Sequence, residues 1–140
     1  MSAQKSGRFL IFTAVLNHSH MEKKVKVGLI RETKIPPDRR VPLTPSQVVE
    51  LKNKYPDVEF YVQPSDIRCF TDDEYKYLKI PMREDLSSCD ILMGVKEVDK
   101  RFFIPGKTYL FFAHVAKKQE HNLEMLREIL NRKVKVIDYE

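Results

Sequence analysis

Apolar residues in this chain come in short unbroken runs, separated by charged loops and by stretches of helical spacing. Residues 25–30 alternate at their start and close apolar, Val58–Val62 is a short β-rich run, and residues 91–95 and 108–113 are continuous and rich in branched or aromatic side chains. Runs of this length predict strands, the last two buried on both faces of a parallel sheet. Thr44 before Pro45 joins an N-cap to the residue best suited to a first helical position, which predicts a helix over Pro45–Lys54. Thr71, with Glu74 three residues on, predicts a second, short helix entered through a capping box. Leu123, Leu126, Ile129 and Leu130 recur at helical spacing within residues 119–132, with basic residues in the last turn where they complement the dipole. Residues 134–139 read as a final strand.

The resulting order is strand, helix, strand, helix, strand, strand, helix, strand. Such alternation argues an α/β fold with a mostly parallel, doubly wound sheet of the Rossmann or flavodoxin-like kind. A chain of 140 residues suits one globular domain, which buries roughly two thirds of the surface its unfolded form exposes. Residues 1–20 pair a basic start with a short apolar run and carry no A-x-A cleavage site. They are expected to be a poorly ordered extension before a domain spanning residues 21–140, and the stop directly after a buried strand predicts a cut at a domain boundary.

Composition narrows the classes. No apolar run approaches the ~20 residues of a membrane helix. The net charge of +5 comes from Lys and Arg interleaved with Asp and Glu, without an aromatic-studded basic stripe, so a nucleic-acid partner is not expected. A modest positive field suits an anionic small molecule better. The two cysteines, Cys69 and Cys89, have no metal-finger or CxxC spacing and read as ordinary thiols of a reduced, cytoplasmic protein.

The candidate chemistry sits where strands end. In an open parallel sheet, ligands occupy the crevice beyond the carboxyl ends of the strands. The 91–95 run ends at Lys96, followed by Glu97, and the 108–113 run ends at His114, with Lys117 and Gln119 beyond. A partly buried lysine and a histidine are both able to move protons near neutral pH. The loop after the first strand carries Arg31, Glu32, Lys34, Arg39 and Arg40 to the same side. Arg40 is a candidate carboxylate clamp, because a guanidinium binds a carboxylate through two parallel hydrogen bonds, and Arg39 competes for that role. Glu32 and Glu97 are placed to tune a neighbouring lysine. His18, His20, His114 and His121 form no metal-ligand constellation with Cys or Asp, and the hydroxyls lack a nucleophile-elbow context. Gly7, Gly28, Gly94 and Gly106 are scattered, so no G-x-G-x-x-G fingerprint follows a strand. No residue of this chain is expected to bind a dinucleotide cofactor, and any nicotinamide would be held by sequence outside it.

Four ordered stretches, GLIRETKIPPDRRVPLTPSQV, DILMGVKE, TYLFFAHVAKKQ and VIDYE, resemble the amino-terminal domain shared by alanine dehydrogenase, the transhydrogenase alpha subunit and the saccharopine dehydrogenases, including lysine-ketoglutarate reductase. The likeness covers most of the chain. It implies that Arg40 binds a substrate carboxylate and that Lys96 and His114 form an acid-base pair. The H-x-x-K-x-Q pattern of His114, Lys117 and Gln119 leans toward the saccharopine branch, with Lys117 and Gln119 touching substrate and Glu97 and Glu140 tuning the pair. The implied reaction is hydride transfer between NAD or NADP and an imine built from an amino acid and a 2-oxo acid, or ammonia. The cofactor would be bound by a second domain, so this chain alone is expected to be inactive, and the resemblance leaves the oligomeric state open. Alanine dehydrogenase chemistry is the second implication. A transhydrogenase-like or non-catalytic α/β module is the rival from another class.

Overall fold

The computed structural model describes residues 23–115 and 120–139. Five strands form one sheet in the order β2-β1-β3-β4-β5, and every neighbouring pair is parallel. They are β1 (Val25–Leu29), β2 (Val58–Val62), β3 (Ile91–Met93), β4 (Thr108–Phe111) and β5 (Lys135–Asp138). Helix α1 (Pro45–Lys54) joins β1 to β2, α2 (Asp72–Tyr77) lies between β2 and β3, and α3 (Leu123–Asn131) joins β4 to β5. The α/β, doubly wound expectation is met, and the sheet is parallel throughout.

Local chemistry starts the helices as the sequence suggests. Thr44 accepts the amide of Gln47 and the Gln47 side chain caps the Thr44 amide, while Thr71 and Glu74 make the same reciprocal pair before α2. Each box satisfies two donors that a helix start otherwise leaves without intrahelical partners.

Two apolar clusters sandwich the sheet. On one face Val27, Leu29, Phe60 and Val62 pack with Val48 of α1 and Tyr75 of α2. On the other, Leu92, Tyr109 and Phe111 pack with Phe103 and with Met125 and Ile129 of α3. Residues of opposite parity on one strand thus feed opposite cores, as the two-residue period of a strand requires. Tyr75 is fully buried and donates its hydroxyl to the Leu43 carbonyl, with the Arg68 guanidinium 4.5 Å above its ring.

Four expectations need correction. The central strands are shorter than residues 91–95 and 108–113, because past Met93 the amides of Val95 and Lys96 leave the ladder for a side chain described below. Nor is either strand buried throughout: Leu92 is covered, whereas Ile91, Met93 and Leu110 are only partly buried, Ile91 and Met93 at the margin of the first cluster. Helix α3 buries Met125 and Ile129, while Leu123 is 37% and Leu130 69% exposed. A 3-10 turn over Glu120–Asn122 precedes it, and the covered stripe runs from buried Asn122 through Met125 to Ile129 rather than along the leucines. The last turn of α3 contains no basic residue, and Arg132 at its C-cap instead binds Glu128 and the Phe103 carbonyl at 2.7 Å. Residues 1–20 lie outside the described residues. Among the described residues no helix is long and apolar enough to cross a membrane.

Gly28 marks the tightest point between β1 and the second core. A Cβ there would stand 2.9 Å from Leu86 Cδ1 and from Leu92 Cδ2. Gly28→Ala is therefore expected to destabilise the protein by about 1–3 kcal/mol, the usual cost of overpacking, in urea denaturation followed by far-ultraviolet circular dichroism. An unchanged midpoint would mean that the two leucines move aside freely.

Candidate functional site at the carboxyl rim of the sheet

Because the strands are parallel, their carboxyl ends share one rim, and β1 and β3 diverge there into connections that pack on opposite faces. Such a switch point leaves a crevice between the two strand ends. Residues 30–34 enter it from β1, residues 94–97 from β3 and residues 112–115 from β4.

Glu32 organises the crossing. Its two carboxylate oxygens accept the backbone N–H groups of Val95 at 2.6 Å and Lys96 at 2.9 Å. Gly94 permits this approach, since a Cβ there would meet Ile30 Cδ1 at 2.9 Å and Glu32 Oε1 at 3.4 Å. Burial pushes the Glu32 carboxyl above its ordinary range, and the two amides only partly offset this. Glu32 is thus a clamp on the strand that carries Lys96, a more definite role than tuning a nearby lysine.

Lys96 and His114, expected as a pair, leave the adjacent strands β3 and β4 on the same rim. His114 is held in the left-handed region at φ 52°, its carbonyl accepts the amide of buried Asn122 at 3.1 Å, and its ring stacks on Phe112 at 6.2 Å. A non-glycine residue in that region costs of order 1–3 kcal/mol and persists where the surroundings over-determine it. Glu97 stands between loops: burial pushes its carboxyl up, but the Lys34 ammonium at 2.5 Å and the charge of His114 leave it below the ordinary range. Among the described residues, no carboxylate lies within ion-pair distance of the Lys96 ammonium.

Arg40 is engaged locally. Its Nε and Nη2 donate to both oxygens of Asp38 at 3.0 and 2.6 Å, and its own amide adds a bond at 2.9 Å. The Arg40 side chain is 61% exposed, so its guanidinium has hydrogen-bonding capacity left for a ligand carboxylate. The competing Arg39 instead donates to the Ile67 carbonyl at 3.3 Å.

A cavity of about 240 Å³ runs across the rim from the β2 side to the β3 side. Lys96 and Glu97 border it at one end, and Arg31, Gln63, Glu84 and Asp85 at the other. Neither His114 nor Arg40 lines it. Arg40 lines a nearly closed crevice of about 10 Å³ with Asp38, and Glu32 separates the two spaces by bordering both. The expected residues therefore share a rim but not a single cavity. Lys117, Gln119 and Glu140 lie outside the described residues.

Sequence reasoning passed over Glu84, Asp85, Gln63 and Tyr139. Tyr139 reaches the rim at the exit of β5, packs edge-on to Phe112 at 5.0 Å, and has its phenol pushed up by burial and then by the Glu32 charge. The strand-exit rule that selected His114 would have found it. Glu84 and Asp85 follow no strand of their own, so nothing in their spacing marked them.

The described residues do not fit a dinucleotide. β1 runs into Arg31, Glu32 and Thr33 rather than a glycine turn, and Gly28 is walled in by Leu86, Leu92 and Cys89. The helix that follows starts at Pro45, well past the strand end, with its cap already occupied by Thr44 and Gln47.

An all-parallel five-stranded sheet with charged residues gathered at its carboxyl rim defines a doubly wound α/β domain. The family is shown by comparison: a profile described as "Alanine dehydrogenase/PNT, N-terminal domain" matches residues 28–140, and the chain belongs to that family. Among curated relatives, the alpha-aminoadipic semialdehyde synthase of Arabidopsis thaliana is 34% identical over 131 residues, covering 89% of this chain and 12% of its own length. The mitochondrial alpha-aminoadipic semialdehyde synthase of Bos taurus is 36% identical over 120 residues, covering 86% of this chain and 13% of its own. The chain thus spans about an eighth of the length of these relatives. In fold it is similar to an L-alanine dehydrogenase, with TM-score 0.67 and 18% identity over 83% of this chain and 32% of that one. A transhydrogenase from Sinorhizobium meliloti gives TM-score 0.65 and 13% identity over 81% and 34%.

The Asp38 carboxyl is held at about 2, first by the Arg40 guanidinium. A lowered acid contributes stability that is fully present above the unfolded value near ~3.9 and is lost as pH falls through about 2. Arg40→Gln is expected to move the Asp38 midpoint up toward ~3.9 in a carboxyl-detected NMR titration. A midpoint that stays at about 2 would assign the shift to the backbone amide instead.

Proposed function

We propose that this chain is the substrate-side domain of an NAD(P)-dependent amino-acid oxidoreductase of the saccharopine dehydrogenase or lysine-ketoglutarate reductase type. On this reading residues 21–140 form one half of a two-domain dehydrogenase, preceded by an extension over residues 1–20. The observation that carries the reading is the emergence of Lys96 and His114 from adjacent parallel strands onto one rim, with Glu97 within electrostatic reach of His114. The names of the curated relatives and the family match support it.

Lys96 and His114 would move protons as the amine of one substrate adds to the carbonyl of the other and water leaves, giving the imine. Arg40, oriented by Asp38, would hold a substrate carboxylate so that the reacting carbon keeps a fixed direction. Lys117 and Gln119 would add substrate contacts, and Glu97 and Glu140 would set the charge around the pair. The hydride would come from NAD or NADP held by a second domain. The alternative within the same class is an alanine dehydrogenase, with ammonia in place of the amino-acid amine, and it draws support from the fold likeness to L-alanine dehydrogenase.

In the complete natural polypeptide, NAD(P)H oxidation with lysine plus 2-oxoglutarate is expected to fall at least ~100-fold in kcat for Lys96→Met and for His114→Ala. Turnover with pyruvate plus ammonia and not with lysine would select the alanine dehydrogenase reading, and wild-type rates in both variants would remove the acid-base assignment. The cytoplasmic location expected from the cysteines has a rival in the word "mitochondrial" in the cattle relative's name, and imaging of the tagged polypeptide decides between them.

A further inference from the structure

Asn122 stands where an asparagine is well suited to cap a helix, and it does not cap α3. Asparagine favours the N-cap because its side-chain oxygen accepts an amide of the first turn. At Asn122 the backbone is already helical, with φ −97° and ψ −6°, and the side chain makes no cap hydrogen bond. Its amide turns back eight residues along the chain instead and donates to the His114 carbonyl at 3.1 Å. Apart from tyrosines and Cys89, Asn122 and Ser65 are the buried polar residues among those described, and Asn122 is 6% exposed. A polar side chain is buried stably only when it is hydrogen-bonded, so the contact with His114 belongs to the reason Asn122 sits inside.

The chain beyond β4 is pinned residue by residue, each time by a different element. Phe112 donates its amide to the Val95 carbonyl at the exit of β3 at 3.0 Å. Ala113 donates to Asp138 Oδ1 of β5 at 3.0 Å, and the His114 carbonyl takes Asn122 from the start of α3. Of these three residues His114 is the one in the left-handed region, at φ 52°. A side chain other than glycine relaxes out of that region unless its surroundings hold it there. The ring of Phe112 stacks on the imidazole at 6.2 Å and is braced edge-on by Tyr139 at 5.0 Å, which limits how far the imidazole tilts sideways. Asn122 acts on the backbone beneath it.

Resting on the reading of His114 as one half of the acid-base pair, we infer that Asn122 is a positioning residue for that reaction. Its side-chain amide, withdrawn from the cap of α3, holds the left-handed backbone of His114 and so fixes the direction in which the imidazole leaves β4. Asn122 itself handles no proton of the reaction. Without its hydrogen bond the His114 backbone relaxes toward an ordinary conformation, and rotation about φ carries the imidazole with it. Proton transfer needs its two heavy atoms within hydrogen-bond reach, so a shift of about 1 Å at the imidazole is enough to slow turnover by up to ~100-fold.

The test is NAD(P)H oxidation by the complete natural polypeptide with the amine and 2-oxo acid that it turns over. Asn122→Asp and Asn122→Ser both keep a residue favoured at a helix start and remove the N–H that reaches His114. The serine variant also avoids placing a charge in a buried position. Each is expected to lower kcat at least ~10-fold while the KM of the 2-oxo acid stays within about twofold, with circular dichroism confirming the fold. In a His114→Ala background the same substitutions are expected to change kcat by less than about twofold, because a residue that acts through an imidazole then has nothing to place. Two outcomes overturn the proposal and leave the acid-base reading standing: wild-type kcat in both variants, or a further loss in the His114→Ala background as large as the loss without it. The second would make Asn122 a support of the fold alone. Turnover retained in His114→Ala itself removes the acid-base reading, and the role of Asn122 falls with it.

Discussion

A carboxylate from one strand holding the backbone of the next is the interaction on which the rim depends. Where β3 leaves the ladder, the amides of Val95 and Lys96 need acceptors, because an unpaired buried N–H costs about as much as a lost hydrogen bond. Glu32 supplies both. The charge is expensive to bury, and the two short amide bonds compensate it without fully restoring its ordinary acidity. In return the exit of β1 is fixed to the exit of β3, and the direction in which Lys96 leaves the sheet follows from that contact.

The same carboxylate partitions the space above the sheet. On one side lies the elongated cavity that ends at Lys96, and on the other the narrow crevice where Asp38 holds Arg40. Positive groups in this region are nearly all countered by neighbours, Arg31 by Glu84 and Lys34 by Glu97 across loops and Arg40 by Asp38 within its own. Exposed ion pairs of this kind add little stability. Their effect is to fix side-chain positions around the rim.

Local rules were legible where one residue acts on its own neighbours. The Thr44 cap, the proline at the start of α1, the capping box of Thr71 and Glu74 and the boundaries of β2 follow from side chains within a few positions of each other. The α3 face was misread because the leucines were followed, whereas the covered stripe runs through Met125 and Ile129, one turn apart on the same side of the helix. The lengths of β3 and β4 were misread because apolar residues continue past the point where the hydrogen-bond ladder stops. Lys96 and His114 were found by the rule that strands end at a common rim. Glu84 and Asp85 were not, since they reach the rim from a loop.

Taken alone, the order of apolar runs determined that this protein is a parallel α/β domain and which side of it carries the ionisable residues. That much is fixed by periodicity and by the handedness of strand-to-strand crossovers, which are properties of short stretches and of their sequence. Which charges face one another was decided only by the tertiary structure. Glu32 and Lys96 are distant along the chain, as are Arg31 and Glu84, and their distances depend on strand order and on the packing of loops at the rim, which no spacing in the sequence encodes.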